Sequence, residues 1–308
     1  MGFSDSRIIL DKEDGVYSTG ETIFGKLVFN QRKAKTIGGI HAVFSGLCNV
    51  QWMTNNTSQT IIHQFQEDYL CMEQYLFGDA TGEIELPAGQ HEFHFEFPIP
   101  QHCPSSLEGK YGHIRYKIEV NIHKPGSSIH KDKKVATVKI QAPLNLNLIP
   151  YCKDPIELEI VKSFNGCFTS AGACKITVRI PRGGFCPGDQ IPIDVNAVNL
   201  STVIIKQLKF AIKKVIIFGT MMDPKVMNQE ERTTIAEIEK GPIPAGITSH
   251  WHVVMEVPHI EVPNLAHCSY IKINYFLKVS TKVKGFHKDT EESENLFLGS
   301  IPLTAPVI

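Results

Sequence analysis

The stretch "HIRYKIEVNIH", His113 to His123, alternates apolar and polar residues without a break. Ile114, Tyr116, Ile118, Val120 and Ile122 fall to one side; His113, Arg115, Lys117, Glu119, Asn121 and His123 fall to the other. Successive side chains point to opposite faces in an extended strand, so this period of two predicts a strand with one buried and one polar face. "HEFHFEFPIP" repeats the pattern, with Phe93, Phe95 and Phe97 opposite Glu92, His94 and Glu96. Similar runs are "TIFGKLVFN", "GIHAVFSG", "CKITVRI", "DQIPIDVNAV", "IIKQLKFAIKKV", "SHWHVVMEVP" and "YIKINYFLKVSTKV". Gly, Pro, Asn and Asp separate them at short spacing, and no segment has the periodicity of an amphipathic helix. Many short strands divided by such turns predict β-sandwiches.

The pattern occurs twice. "GETIFGKLVF" begins at Gly20 and "GDQIPIDVNA" at Gly188, a shift of 168 positions that also carries Ile37 to Ile205, Ile40 to Leu208 and Phe44 to Ile212. Further on, Pro87 of "LPAGQHEFHFEF" matches Pro244 of "IPAGITSHWHVVMEV", and Tyr116 matches Tyr275. Four features in the same order predict one β unit used twice, as tandem sandwiches. A chain of 308 residues suits two such domains. The expected division is 1–143, a Pro- and Asn-rich linker at 144–155, and 156–308.

A net charge of -1 argues against nucleic acid as a partner, which would call for a basic excess. The charges are nonetheless uneven. No Lys or Arg occurs between Lys35 and Lys110, while Glu67, Asp68, Glu73, Asp79, Glu83, Glu85, Glu92, Glu96 and Glu108 do. From Lys110 to Lys139 there are eight cations against two acids. No apolar run is long enough to span a bilayer, and "MGFSDSRIIL" lacks the plan of a signal peptide. The expectation is a cytoplasmic protein whose eight Cys are thiols. The sequons at Asn55, Asn56 and Asn199 are then accidental, and Met1-Gly2 with Ser6 fits a myristoylation pattern only loosely.

The block "LPAGQHEFHFEFPIPQHCPSSLEGKYGHIRYKIEV", Leu86 to Val120, resembles the N-terminal domain of the α-arrestins, the arrestin domain-containing proteins. "RGGFCPGDQIPIDVNAVNLST", Arg182 to Thr202, resembles the opening of that family's C-terminal domain, and "NLFLGSIPL", Asn295 to Leu303, its last strand. The resemblance implies an all-β fold of two tandem arrestin-type, immunoglobulin-like seven-stranded sandwiches. It further implies a trafficking adaptor or scaffold that binds cytoplasmic tails of membrane proteins and links them to endocytic sorting or ubiquitin-ligase machinery. Two features of relatives are missing from the sequence. It has neither the cationic helix nor the paired Asp residues with a buried Arg of the visual and β-arrestins. It also has no Pro-Pro-x-Tyr motif, so ligase recruitment is expected to need a tail absent from this chain.

Nothing in the motifs points to an enzyme, a metal or a cofactor. No two Cys stand two to four residues apart, and Cys167-x6-Cys174 is too loose for a metal site on its own. His250 and His252 share a strand face without an evident third ligand. There is no Gly-x-Ser-x-Gly elbow, and Cys186 in "RGGFCPGD" has no basis for a lowered pKa. "GKYG" lacks the Gly-rich lead, the following Ser or Thr and the helix of a phosphate loop.

Recognition is what remains. Arg115 and Lys117 project from one strand face about 7 Å apart, with Lys110 just before them. Such a row can hold phosphate or carboxylate groups through charge-assisted hydrogen bonds. The resemblance places a Gly-Lys near the site of phosphorylated cargo tails, and Arg7 and Lys12 beside the strand with which such tails pair. The same cations read equally as strand charges paired with the acidic stretch. "HKPGSSIHKDKK", His123 to Lys134, reads as a mobile hairpin loop whose Lys131, Lys133 and Lys134 can touch acidic lipid headgroups for peripheral membrane association. Two rival readings stay open. One is a sorting-coat subunit of the retromer type; the other is a redox-linked scaffold that binds thioredoxin through a Cys, as one α-arrestin branch does.

Overall fold

The computed structural model describes residues 5–56, 59–79, 82–123, 125, 130–165, 170–220, 228–285 and 288–304. Among these residues the backbone forms strands and a 3₁₀ turn at Leu146–Leu148, with no α-helix. The chain divides into two compact units. Unit 1 comprises Met1–Ala142 together with Phe218–Gln229 and Pro263–Lys272; unit 2 comprises Pro143–Ile217, Glu230–Val262 and Ile273–Ile308. Two short segments from the second half of the sequence thus belong to the first unit.

The strands of unit 1 are β1 (Arg7–Leu10), β2 (Val16–Ser18), β3 (Thr22–Gln31), β4 (Lys35–Ile37), β5 (Gly39–Asn56), β6 (Gln59–Gly78), β7 (Ile84–Leu86), β8 (Gly89–Pro98), β9 (Leu107–Gly109), β10 (Gly112–His123) and β11 (His130–Gln141). One sheet runs β1-β3-β8; a second runs β2-β11-β10-β5-β6, with β9 also on β10; β4 and β7 form a small third. Phe97 of β8 faces Phe44 of β5, ring centroids 5.7 Å apart, so the first two sheets share one core. The alternation of β10 supplies its centre: Ile114, Tyr116, Ile118, Val120 and Ile122 are all buried.

Unit 2 carries β12 (Ile156–Asn165), β13 (Ser170–Ile180), β14 (Gly184–Phe185), β15 (Gln190–Asn199), β16 (Ile205–Phe218), β17 (Gln229–Lys240), β18 (Thr248–Glu256), β19 (Ile271–Val283) and β20 (Thr290–Leu298). Its sheets run β12-β13-β15-β18 and β14-β20-β19-β16-β17. Ile193 and Val195 of one sheet join Leu208, Phe210 and Leu277 of the other in a single core. Strands of four residues or more number seven in unit 1 and eight in unit 2 among the described residues.

The internal repeat is realised in the backbone. β3 and β15 begin and end 168 positions apart. Gly20 and Gly188, related by the same shift, have φ values of 85° and 89°, a left-handed conformation that glycine adopts without steric cost. β10, flanked by β11 and β5, corresponds to β19, flanked by β20 and β16.

Two expectations need correction. The alternation puts Asn121 and His123 on the polar face of β10, yet both are buried. His41 and Tyr75, from the neighbouring β5 and β6, stack at 4.6 Å, and His123 lies 5.7 Å and 6.2 Å from those rings. Aromatic side chains from adjacent strands therefore close off that end, a contact that periodicity along one strand does not encode. Lys131, Lys133 and Lys134 were placed in a loop, but all three lie on β11, where Lys133 pairs with Asn121 and Lys134 with Val120. The side chain of Lys131 and residues 124 and 126–129 lie outside the described residues.

Tyr116 sits opposite Gly46 of β5. A Cβ on Gly46 would fall 2.2 Å from the Tyr116 ring, which is fully buried and tied by its hydroxyl to the Pro104 carbonyl at 2.7 Å. Gly46→Ala is expected to destabilise the protein by about 2–3 kcal/mol, the cost of overpacking a core that cannot give way. Urea denaturation of the two proteins measures this directly.

Candidate functional site

The outer face of the largest sheet in unit 1 carries three of the candidate cations, Arg115, Lys117 and Lys133. Paired positions across β6, β5, β10 and β11 give rows on that face. One row is Tyr75, His41, Asn121 and Lys133; the next is Glu73, Val43, Glu119 and Val135; then come Cys71, Ser45, Lys117 and Thr137. Leu47 pairs with Arg115 in the row after that. The result is a polar surface with an aromatic, buried end.

Lys117 donates to Oε1 of Glu119 at 2.6 Å, and Lys133 reaches the same oxygen at 2.6 Å. The Glu119 side chain is only 16% exposed, so two ammonium groups stand over a carboxylate sunk into the sheet. Burial alone would raise the Glu119 carboxyl, but the hydrogen bonds from the two lysines outweigh it and hold the group below its usual 4.5. Arg115 makes a two-pronged contact with Glu108 of β9: Nε donates to Oε1 at 2.7 Å and Nη2 to Oε2 at 2.8 Å. This fork lowers the Glu108 carboxyl and raises the guanidinium. Beside it, His113 is pushed down by burial and then by the charge of Arg115.

The remaining cations are placed separately. Lys110 sits in the turn between β9 and β10 with its ammonium 5.0 Å from the Tyr111 ring centroid. Lys12, just after β1, donates to Glu21 at 2.7 Å and lies 4.9 Å from the Tyr17 ring. Arg7 is exposed at the start of β1, where it pairs with Val28. Among the described residues β1 pairs only with β3, which leaves its other edge open. Nearby, Ile9 and Phe24 are exposed along a groove of about 540 Å³ that also touches Lys26, His94 and Glu96.

The structure thus brings Lys117 together with Lys133, one expected in a peptide-binding row and the other at a lipid surface. It pairs Arg115, Lys117 and Lys12 with the protein's own carboxylates. Glu108 belongs to the acidic stretch that the charge pattern offers as partner of these cations; Glu119 and, for Lys12, Glu21 lie outside it, although Glu119 follows Lys117 by two residues on the same strand face and so is within reach of the alternation argument. In unit 2, His252 Nδ1 lies 2.8 Å from Asp194 Oδ1, and His250 pairs with Asn196. Among the described residues no group of three His, Cys, Asp or Glu is positioned to hold a metal ion.

Residues 6–147 match the N-terminal domain of arrestin (or S-antigen), and residues 170–303 match its C-terminal domain. The chain belongs to the arrestin family. Within that family it is similar to the human arrestin domain-containing protein 1, 28% identical over 302 residues that cover 95% of this chain and 64% of the relative. Arrestin domain-containing protein 17 of Caenorhabditis elegans is 25% identical, covering 89% and 66%. Pig thioredoxin-interacting protein is 25% identical, covering 91% and 71%. The chain therefore spans about two-thirds of the length of these relatives. The N-terminal match lies in unit 1 up to Ala142, and the C-terminal match lies in unit 2 except for Phe218–Gln229 and Pro263–Lys272. No helix among the described residues is long and apolar enough to cross a membrane.

The two arrestin carboxylates on this face have folded-state pKa values below their ordinary ones. Their contribution to stability is complete above about pH 4.5 and is lost as pH falls through the lower folded values. A Glu108→Gln, Glu119→Gln variant should therefore lose less stability than the parent between about pH 6 and pH 3, by roughly 1 kcal/mol for these exposed and half-exposed pairs. Thermal melts across that range test the slope.

Proposed function

We propose that this arrestin-domain protein is an adaptor whose unit 1 takes an extended cytoplasmic segment of a membrane protein as an added strand. The observation that carries the reading is the open edge of β1, bracketed by Arg7 and Lys12 and bordered by the exposed side chains of Ile9 and Phe24. An edge strand offers unpaired backbone groups to an extended peptide, and alternate side chains select the sequence. Lys110, Arg115 and Lys117, on the other sheet, are proposed as cations for phosphate or carboxylate groups elsewhere on the same partner. Exposed ion pairs contribute only about 0–1 kcal/mol. Exchanging the exposed Glu108 for a dianionic phosphate therefore gives up little, and the phosphate contributes stronger charge-assisted hydrogen bonds. Linkage of the bound protein to sorting or ubiquitination machinery belongs to the same proposal, as the resemblance to the α-arrestins implies.

A second reading is contact with thioredoxin, favoured by the relatives named thioredoxin-interacting protein and by the exposed thiol of Cys71. Capture of a mixed disulfide at Cys71 would support it.

The adaptor reading is tested by fluorescence anisotropy with tail peptides of membrane proteins, phosphorylated and unphosphorylated. Lys110→Ala, Arg115→Ala and Lys117→Ala together should weaken binding of the phosphorylated peptides at least about tenfold, the loss of one good charged contact. The melting temperature should stay within about 3 °C of the parent. Unchanged affinity in a folded triple variant would mean that these cations serve only the protein's own carboxylates.

A further inference from the structure

Cys48 and Cys268 are 220 positions apart in sequence, yet their Sγ atoms lie 3.9 Å from each other. Both thiols are buried, Cys48 completely and Cys268 at 6% exposure. Cys48 projects from β5 into the core of unit 1, and Cys268 lies in the Pro263–Lys272 segment of the same unit. No short-range motif leads from one to the other.

The segment around Cys268 is firmly held. Asn264 exchanges hydrogen bonds with Ser105, its N–H reaching Oγ at 3.1 Å and its carbonyl accepting from the Ser105 N–H at 2.9 Å. The residue after Cys268 is clamped to β6: Ser269 donates its N–H to Glu67 Oε2 at 2.9 Å and its hydroxyl to Oε1 at 2.7 Å. Tyr69 donates to the same carboxylate at 3.1 Å. The Tyr270 ring lies tilted against Phe65 with centroids 5.3 Å apart, and its carbonyl accepts from the Gly219 N–H at 2.9 Å. These contacts keep the two sulfurs adjacent.

We propose that Cys48 and Cys268 form a reversible disulfide, a redox modification site that fastens the Pro263–Lys272 segment covalently to β5, with hydrogen peroxide as oxidant and a small thiol as reductant. Closing the bond from 3.9 Å requires a movement of about 2 Å, within reach of side-chain rotation. The residues flanking Cys268, His267 and Ser269, are exposed, so peroxide meets Cys268 first. Hydrogen bonds from Cys48 and from the backbone N–H groups of Tyr270 and Ile271 overcome burial and hold the Cys268 thiol below its usual value. Cys48 is correspondingly raised and keeps its proton. By contrast, burial pushes Cys152 and Cys174 up to about 11, which leaves them as thiols at neutral pH.

The chemistry balances in two steps. The Cys268 thiolate attacks one oxygen of hydrogen peroxide, the O–O bond breaks, and hydroxide leaves with the electron pair and takes up a proton as water. Cys268 is then a sulfenic acid. The Cys48 sulfur next attacks the Cys268 sulfur, the S–O bond breaks, and the departing hydroxide leaves as water with the Cys48 proton. Two thiols are oxidised by two electrons and one peroxide is reduced to two waters. A thiol reductant reverses the bond by exchange.

The experiment exposes the full, reduced chain to sub-millimolar hydrogen peroxide, blocks remaining thiols with N-ethylmaleimide under denaturing conditions, and digests it without reductant. The expected product is a linked peptide pair containing Cys48 and Cys268, lighter by two hydrogens than the separate peptides and released by dithiothreitol. The melting temperature of the oxidised chain should rise by about 5–10 °C, since the bond closes a long loop. In Cys48→Ser, or in Cys48→Ala where the serine variant does not fold, the sulfenic acid on Cys268 should persist and be trapped by dimedone. Recovery of both cysteines as maleimide adducts after oxidation would overturn the proposal. Linkage of Cys268 to the exposed Cys71 would do so as well, and so would accumulation of Cys268 sulfinic acid without any cross-link.

Discussion

Tyr116 lies over Gly46 with its ring in the space that a Cβ would need, and its hydroxyl is fixed by the Pro104 carbonyl. This contact sets the spacing between β10 and β5, which pair at twelve successive positions from Gly112 to His123. Because side chains alternate along a strand, seating Tyr116 inward commits Ile114, Ile118, Val120 and Ile122 to the core. It equally commits Arg115, Lys117 and Glu119 to the outer face. A slip of one residue would bury those charges and expose five apolar side chains, so the register of the core and the layout of the candidate site are a single constraint.

The outer face that results pairs its cations with the protein's own carboxylates. Each cation of β10 described here has a carboxylate close by, and Glu119 serves two lysines at once. The Arg115–Glu108 pair is exposed enough to break at little cost. Such a surface is stable while empty and still has cations to offer a more highly charged anion. That combination suits the partner-binding role proposed for this arrestin-domain chain. The aromatic end formed by His41, Tyr75 and His123 bounds the surface on one side.

Much of the architecture was legible in the residues. The alternation of "HIRYKIEVNIH" predicts β10 and its buried face, and the repeat at Gly20 and Gly188 predicts β3 and β15. What failed to show were contacts made at right angles to the chain. Asn121 and His123 follow the polar pattern of β10 and are nevertheless buried, because His41 and Tyr75 come from β5 and β6 to cover that end. Lys133 was assigned to a loop because Gly and Ser precede it, yet cross-strand pairing with β10 draws it into β11 and over Glu119. The membership of Pro263–Lys272 in unit 1 has no compositional mark at all.

The sequence by itself determined the class of fold, its duplication, the inward and outward faces of its strands and, through its motifs, the family. These follow from periodicity and local turn chemistry, which act between residues close in the chain. Only the tertiary structure decided which acids meet which cations, which edge stays open, and that Cys48 meets Cys268. Those depend on strand order and on the return of distant segments to one sheet. Residues 220 positions apart leave no periodic trace of each other, because their proximity is a consequence of the packed core.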